Sequence, residues 1–167
     1  MGKATGHVNN HDASRSLRRK TYASRTITIT NGGTSGLVQC IGKTPVNARF
    51  AVESVTVVNE TAISNHVTDA TNGSIAVGHA TATGTFDADS ILDEVAITHN
   101  TNAKVLTTYT KANFPTTLKN AKGTLASGYP IVPSNSTIWT TATSMITNGT
   151  GTAVVFVSGW ELDDEKE

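Results

Sequence analysis

The residues able to do chemistry are scattered along this chain, and few share a spacing that a reaction could use. His66 and Asp69 stand three apart in a polar connection. That spacing puts two ligands on one face only of a helix, and no third ligand accompanies them. Asp87, Asp89, Asp93 and Glu94 crowd one segment. It lacks the mid-loop glycine and the regular spacing of an EF-hand loop, so a solvated acidic rim is the plainer reading. His79 and His99 adjoin Gly78 and Asn100 and suit turns, while His7 and His11 lie near the N-terminus. Nucleophilic catalysis needs a nucleophile, a base and an orienting group in fixed relation. Serine and threonine are so abundant that a Ser/His/Asp triple can be picked out by chance. There is no G-x-S-x-G elbow, no P-loop and no G-x-G-x-x-G turn. Paired carboxylates for glycoside hydrolysis meet in space and leave no spacing to read. The chain therefore reads as a non-enzyme with no catalytic residue, no metal ligand set and no cofactor. Cys40, the single cysteine, excludes an intramolecular disulfide. Between Val38 and Ile41 it reads as a small buried hydrophobe.

Charge is the more informative pattern. Residues 1–25 hold Lys3, Arg15, Arg18, Arg19, Lys20 and Arg25 against one acid, Asp12. Residues 161–167 hold Glu161, Asp163, Asp164, Glu165 and Glu167 against Lys166. A formal net charge of zero thus hides a basic N-terminal segment, a weakly charged body and an acidic C-terminal segment. Opposite charges at the two ends suit joining one copy to another, which points to assembly rather than catalysis. Arg15, Arg18, Arg19, Lys20 and Arg25 are the candidate partner-binding residues of an arm. Glu161, Asp163, Asp164, Glu165 and Glu167 are those of a tail. Phosphate contact by the arm would be independent of sequence, and Tyr22 is the only aromatic near it, so base stacking has little support. Protein is the favoured partner and nucleic acid is not.

These residues need elements to position them. The length of 167 residues fits one domain with a core, plus tails. Hydrophobic residues make up 37% and aromatics 5%, and threonine, the commonest residue, fills the gap. Threonine is β-branched and suits a pleated, half-wet surface, so the body reads as all-β. Charged residues at 16% are sparse for a free monomer, which favours a surface covered by neighbours. No stretch approaches a membrane span, and the N-terminal residues have no apolar core of a signal peptide. The Asn-x-Ser/Thr sequons follow from the threonine content.

Residues 1–25 lack sustained apolar periodicity and read as an extended arm. The period-two alternation begins at Thr26-Ile27-Thr28-Ile29-Thr30 and ends in a glycine turn at 31–36. Strands are expected over Leu37–Ile41, Ala48–Asn59, Gly73–Gly78, Val105–Thr110, Pro130–Pro133, Ser136–Met145 and Ala153–Val157. The phase slips at Glu53-Ser54, which suggests a bulge. Residues 86–94 fit either a short helix or an irregular edge strand, and 61–72 a polar connection. Asn113-Phe114-Pro115 and Asn148-Gly149-Thr150-Gly151 read as breaks. The last strand is apolar on both faces, so both are expected to be buried. About eight strands between turns suit a two-sheet antiparallel sandwich, jelly-roll-like. The expected organisation is an arm over 1–25, a β-sandwich over 26–160 and an acidic tail over 161–167.

Lys43-Thr44-Pro45-Val46-Asn47-Ala48-Arg49-Phe50 leads into Val55-Thr56-Val57-Val58 and then Gly73-Ser74-Ile75-Ala76-Val77-Gly78. Asn148-Gly149-Thr150 later leads into Val154-Val155-Phe156-Val157. Over roughly residues 36–160 this resembles small β-sandwich virion proteins of tailed bacteriophages, with Thr44 where an apolar residue is commoner. The resemblance implies a non-enzymatic component of the particle, most often on the head. The role expected of this chain is that of a capsid decoration or cement protein, made in the host cytoplasm and carried on the outside of the phage head. The implied partners are the major capsid protein and other copies of the chain, as a homotrimer, and not a membrane. The alternative is a receptor-binding or adhesin module of a head or tail fibre. That role would need an exposed aromatic platform, whereas Trp139 and Trp160 lie in or at the end of expected strands and read as core or interface packing.

Overall fold

In the computed structural model the described residues are 18–28, 37–61, 73–81, 86–97, 104–110, 114, 129–143 and 151–163. They form ten strands. These are β1 (Arg18–Ala23), β2 (Ile27–Thr28), β3 (Leu37–Lys43), β4 (Ala48–Asn59), β5 (Gly73–Ala80), β6 (Phe86–Ile97), β7 (Val105–Tyr109), β8 (Ile131–Val132), β9 (Thr137–Thr143) and β10 (Thr152–Asp163). No helix occurs among the described residues.

The strands make two antiparallel sheets packed face to face. One runs β1-β10-β4-β7, with β2 added to β10 and β8 to β4, and the other runs β3-β9-β5-β6. With the two-residue β2 and β8 set aside, eight strands remain. Counted in chain order they run 1-8-3-6 in one sheet and 2-7-4-5 in the other. This is the jelly-roll order, in which successive strands cross between the sheets.

Alternation explains the layering. Along β10, Ala153, Val155 and Val157 are buried and the residues between them only partly so. Along β4, Phe50, Val52, Val55 and Val57 turn inward. The other sheet answers with Ile41, Ile75, Val77, Ile91, Leu92 and Ile138. One inward row from each sheet interdigitates, which is how a sandwich makes a single core.

The expected bulge in β4 is present. Ser158 pairs with Ser54 and Gly159 with Val52, so Glu53 is the extra residue. The ambiguous 86–94 segment is an irregular edge strand: β6 slips twice against β5, between Ile75 and Val77 and again between Val77 and His79.

Several expectations are corrected. The stretch read as a free arm contributes β1, so the sandwich takes in Arg18–Ala23 rather than starting at residue 26. Pairing with β10 supplies the order that local apolar content could not. The acidic tail likewise begins inside a strand, because β10 runs on to Asp163. The outer face of β10 is half-buried rather than buried, with Val154 and Phe156 partly exposed. Cys40 is exposed, because it lies on β3 at a sheet edge with the bulged Ile41 taking the inward position. Residues 1–17, 62–72 and 98–103 lie outside the described residues, and with them the readings of His7, His11, His66, Asp69 and His99.

Gly159 is fixed by this packing. A Cβ there would overlap the Ala51 carbonyl oxygen and lie 3.0 Å from Phe50 Cζ. The first neighbour is backbone and cannot step aside. Gly159→Ala is therefore expected to cost on the order of 1–3 kcal/mol or more. Chemical denaturation should show a lower midpoint than the wild type. A midpoint equal to wild type would show that β4 and β10 can part there at no cost.

Candidate interaction surface

The two charged ends meet within one chain. β1 pairs antiparallel with the end of β10, with Arg18 opposite Glu161, Arg19 opposite Trp160 and Lys20 opposite Gly159. Lys20 Nζ lies 3.5 Å from Glu161 Oε1. Arg19 Nη2 lies 3.2 Å from Glu53 Oε2, so the bulge aims this carboxylate at the edge strand. The Arg19 guanidinium also sits 5.9 Å from the centroid of the Trp160 ring. The Arg19 pair is largely exposed and is worth at most about 1 kcal/mol. Arg15, Asp164, Glu165 and Glu167 lie outside the described residues.

Tyr22 makes this edge part of the core. Its ring is 7% exposed and meets Phe50 edge to face, with centroids 5.0 Å apart and planes at 88°. The hydroxyl lies 3.2 Å from the Lys43 carbonyl oxygen and 3.4 Å from Glu161 Oε1, and its one proton serves both acceptors. The ring also lies against Gly42, where any Cβ would overlap it. One side chain therefore ties β1 to β10 in its own sheet and to β3 in the other. The sequence carried a signal for this: Tyr22 is the lone aromatic in a basic segment, which favours an anchored strand over a free arm.

Past β1, the chain stays tied across the sheets. Ser24 exchanges hydrogen bonds with Val155, and the Arg25 amide donates to Gln39 Oε1 at 2.8 Å. The Arg18, Arg19, Lys20, Arg25 and Lys43 side chains remain exposed along the β1/β3 edge.

The opposite edge is acidic. β6 carries Asp87, Asp89 and Asp93, all exposed. Asp89 is pushed above the usual carboxylate range, first by a hydrogen bond with the Asp87 carboxyl, then by partial burial and the Asp87 charge. The same strand holds Ser90, whose Oγ lies 2.7 Å from His79 Nδ1 and accepts the His79 amide at 3.1 Å. His79 is thus a strand residue at the rim of the core rather than a turn residue, and burial pushes its pKa down. Among the described residues, no three His, Cys, Asp or Glu side chains converge as metal ligands.

One end of the sandwich gathers the ends of both edges. Register places Arg18, Lys43, Ala48, Ala80, Phe86, Thr137 and Asp163 there together. The turn after β3 is pinned at this end. Thr44 Oγ1 donates to the Pro133 carbonyl at 2.7 Å, the Ser136 amide donates to Thr44 Oγ1, and the Asn135 amide donates to the Pro45 carbonyl. At its tip Val46 is 75% exposed. Trp139 is engaged internally: its Nε1 donates to Thr137 Oγ1 at 2.8 Å, and its ring meets Phe86 edge to face.

No protein-family model matches this chain. No curated protein matches it either. Among solved structures, one chain of infectious bursal disease virus, Gt strain, is similar over 89% of this chain and 42% of that one, with 6% identity and a TM-score of 0.23. This chain therefore spans less than half the length of that one. A likeness of that size bears on neither fold nor function.

The Tyr22 environment makes a pH prediction. Burial, the Glu161 charge and the Glu161 hydrogen bond push its pKa from 10.0 up to about 12. The unfolded chain then ionises Tyr22 first. The stability it confers is fully present below pH 10 and declines as pH rises toward about 12. Tyr22→Phe should lose roughly 1–2 kcal/mol at neutral pH by leaving the Lys43 carbonyl and Glu161 one donor short. It should also flatten the alkaline decline. Thermal melts of both proteins across that range test this, and parallel alkaline slopes would remove Tyr22 as the cause.

Proposed function

We propose that this chain is a structural virion protein of a tailed phage. In this reading it decorates or cements the outside of the head, binds the major capsid protein and self-associates as a homotrimer. The observation that carries the reading is a jelly-roll body whose basic residues are held rigidly on one edge and at one end. Arg18 and Lys20 are fixed by strand pairing and Lys43 leads directly into the pinned turn. The resemblance of residues 36–160 to phage virion sandwiches supports the same class.

The binding mechanism is preorganisation. The turn at 44–47 is held by side-chain and backbone hydrogen bonds to 133–136, so little conformational entropy is lost when Val46 docks. Lys43 and Arg49, both exposed, flank it. The matching surface on a shell is an apolar socket with an acidic rim. Many copies bound at once would add avidity.

Receptor binding has less support, because Trp139 spends its indole N–H on Thr137 and Trp160 carries Arg19 on its ring.

Two measurements test the proposal. Light scattering of the purified chain should give about three times 17.5 kDa. Cosedimentation with heads stripped of this protein should show binding that weakens as salt rises, since exposed charges are screened beyond a Debye length of about 8–10 Å. Val46→Asp should abolish that binding and leave the melting temperature near wild type, because its side chain is exposed. Undiminished binding by the Val46→Asp variant would take the docking end away from this turn.

A further inference from the structure

The topology separates charge across the sandwich. β1 and β3 are the edge strands on one side, and β6 and β7 are those on the other. The first side carries Arg18, Arg19, Lys20, Arg25 and Lys43, and the sequences of β1 and β3 contain no acid. β6 contains Asp87, Asp89, Asp93 and Glu94 and no base, and Lys104 precedes β7. Arg18, Arg19, Lys20, Arg25 and Lys43 are exposed on the first side and Asp87, Asp89 and Asp93 on β6, on a body whose net charge is zero.

We propose that copies of this chain associate head to tail, the basic β1/β3 edge of one copy against the acidic β6 edge of the next. The inference rests on the self-association in the proposed function and names the surfaces that make it.

Three observations favour a second copy as the occupant of both edges. The edges complement one another in sign, which steers encounter and fixes orientation. A like-with-like pairing about a twofold axis would oppose equal charges. Asp87 and Asp89 also crowd each other, and a cation from outside would relieve that repulsion. Finally, Arg18 and Lys43 on one edge lie at the same end of the sandwich as Asp87 on the other. Register sets Lys43 and Ala80 opposite Thr137, and Phe86 opposite Ala80. Contacts at matched height need no rise between copies, and a heterologous contact of that kind closes into a ring when the rotation between copies divides a full turn. Such a ring leaves the Val46 ends of all copies facing the same way.

The test reverses each edge separately. Arg25 and Lys43 are chosen on the basic side, because Arg19 and Lys20 are engaged with Glu53 and Glu161 within the chain. The variant Asp87→Lys/Asp89→Lys places two bases at the Asp87 end of the acidic edge, and Arg25→Glu/Lys43→Glu places two acids on the basic edge. Each alone should run as a 17.5 kDa monomer by light scattering, with thermal melts confirming the fold. Mixed in equal amounts, the two should associate again, and raising the salt should disperse the mixture. The variant Asp87→Asn/Asp89→Asn removes charge without reversing it and should weaken association less. Two results overturn the inference and can be told apart. A trimeric wild type whose edge-reversed variants remain trimeric leaves self-association standing and moves the interface elsewhere. A wild type that is monomeric at every concentration removes self-association, and the edge contact with it.

Discussion

The whole structure depends on the ladder between β10 and β4. Eleven register pairs join the two strands, from Ala153 with Asn59 to Asp163 with Ala48. β10 also carries β1 and β2 on its other side, while β4 carries β7 and β8. The strand nearest the C-terminus is therefore the centre of its sheet. Its inward row of Ala153, Val155 and Val157 packs the core, and Gly159 lets the β4 backbone approach where a side chain would collide. Such pairing over long sequence separation is costly to form, and burial of both inward rows offsets that cost.

The same ladder determines what the charges can do. Because β1 lies on β10, Lys20 and Glu161 neutralise one another within the chain. The long-range attraction suggested by oppositely charged ends is thus partly consumed in holding the edge strand down. What remains for partners is the exposed remainder of the basic edge. Among the described residues, Asp87, Asp89 and Asp93 on β6 and Asp163 at the end of β10 are exposed acids. Exposed charge on edge strands also has a protective role, since it discourages indiscriminate strand addition.

Rigidity at the 44–47 turn comes from polar groups rather than from the core. Thr44 is 2% exposed, yet its hydroxyl and amide are both engaged with the 133–136 turn. These hydrogen bonds account for a threonine at this buried position. An apolar side chain would leave the Ser136 amide without the Thr44 Oγ1 acceptor that lies 2.8 Å away. The edge at Tyr22 follows the same logic, with one hydroxyl serving two acceptors across two sheets.

By itself the sequence determined the all-β class, the position of β4 and its bulge, the strands β3, β5, β7 and β9, and the two-sheet arrangement. Period-two alternation and glycine, proline and asparagine turns are local signals, and local signals survive in a single chain. The candidate surface was legible only as a list of charged residues. Tertiary structure decided that Arg18–Ala23 is a strand, because its partner β10 lies more than a hundred residues away and Tyr22 is the one local hint of it. It also decided that Cys40 faces outward, since a bulge at Ile41 shifts the alternation by one residue. The division into a basic and an acidic edge came from the strand order, which places β1 and β6 on opposite sides of the sandwich. Spacing along the chain cannot encode that order, because it is chosen by which strands bury each other's inward rows.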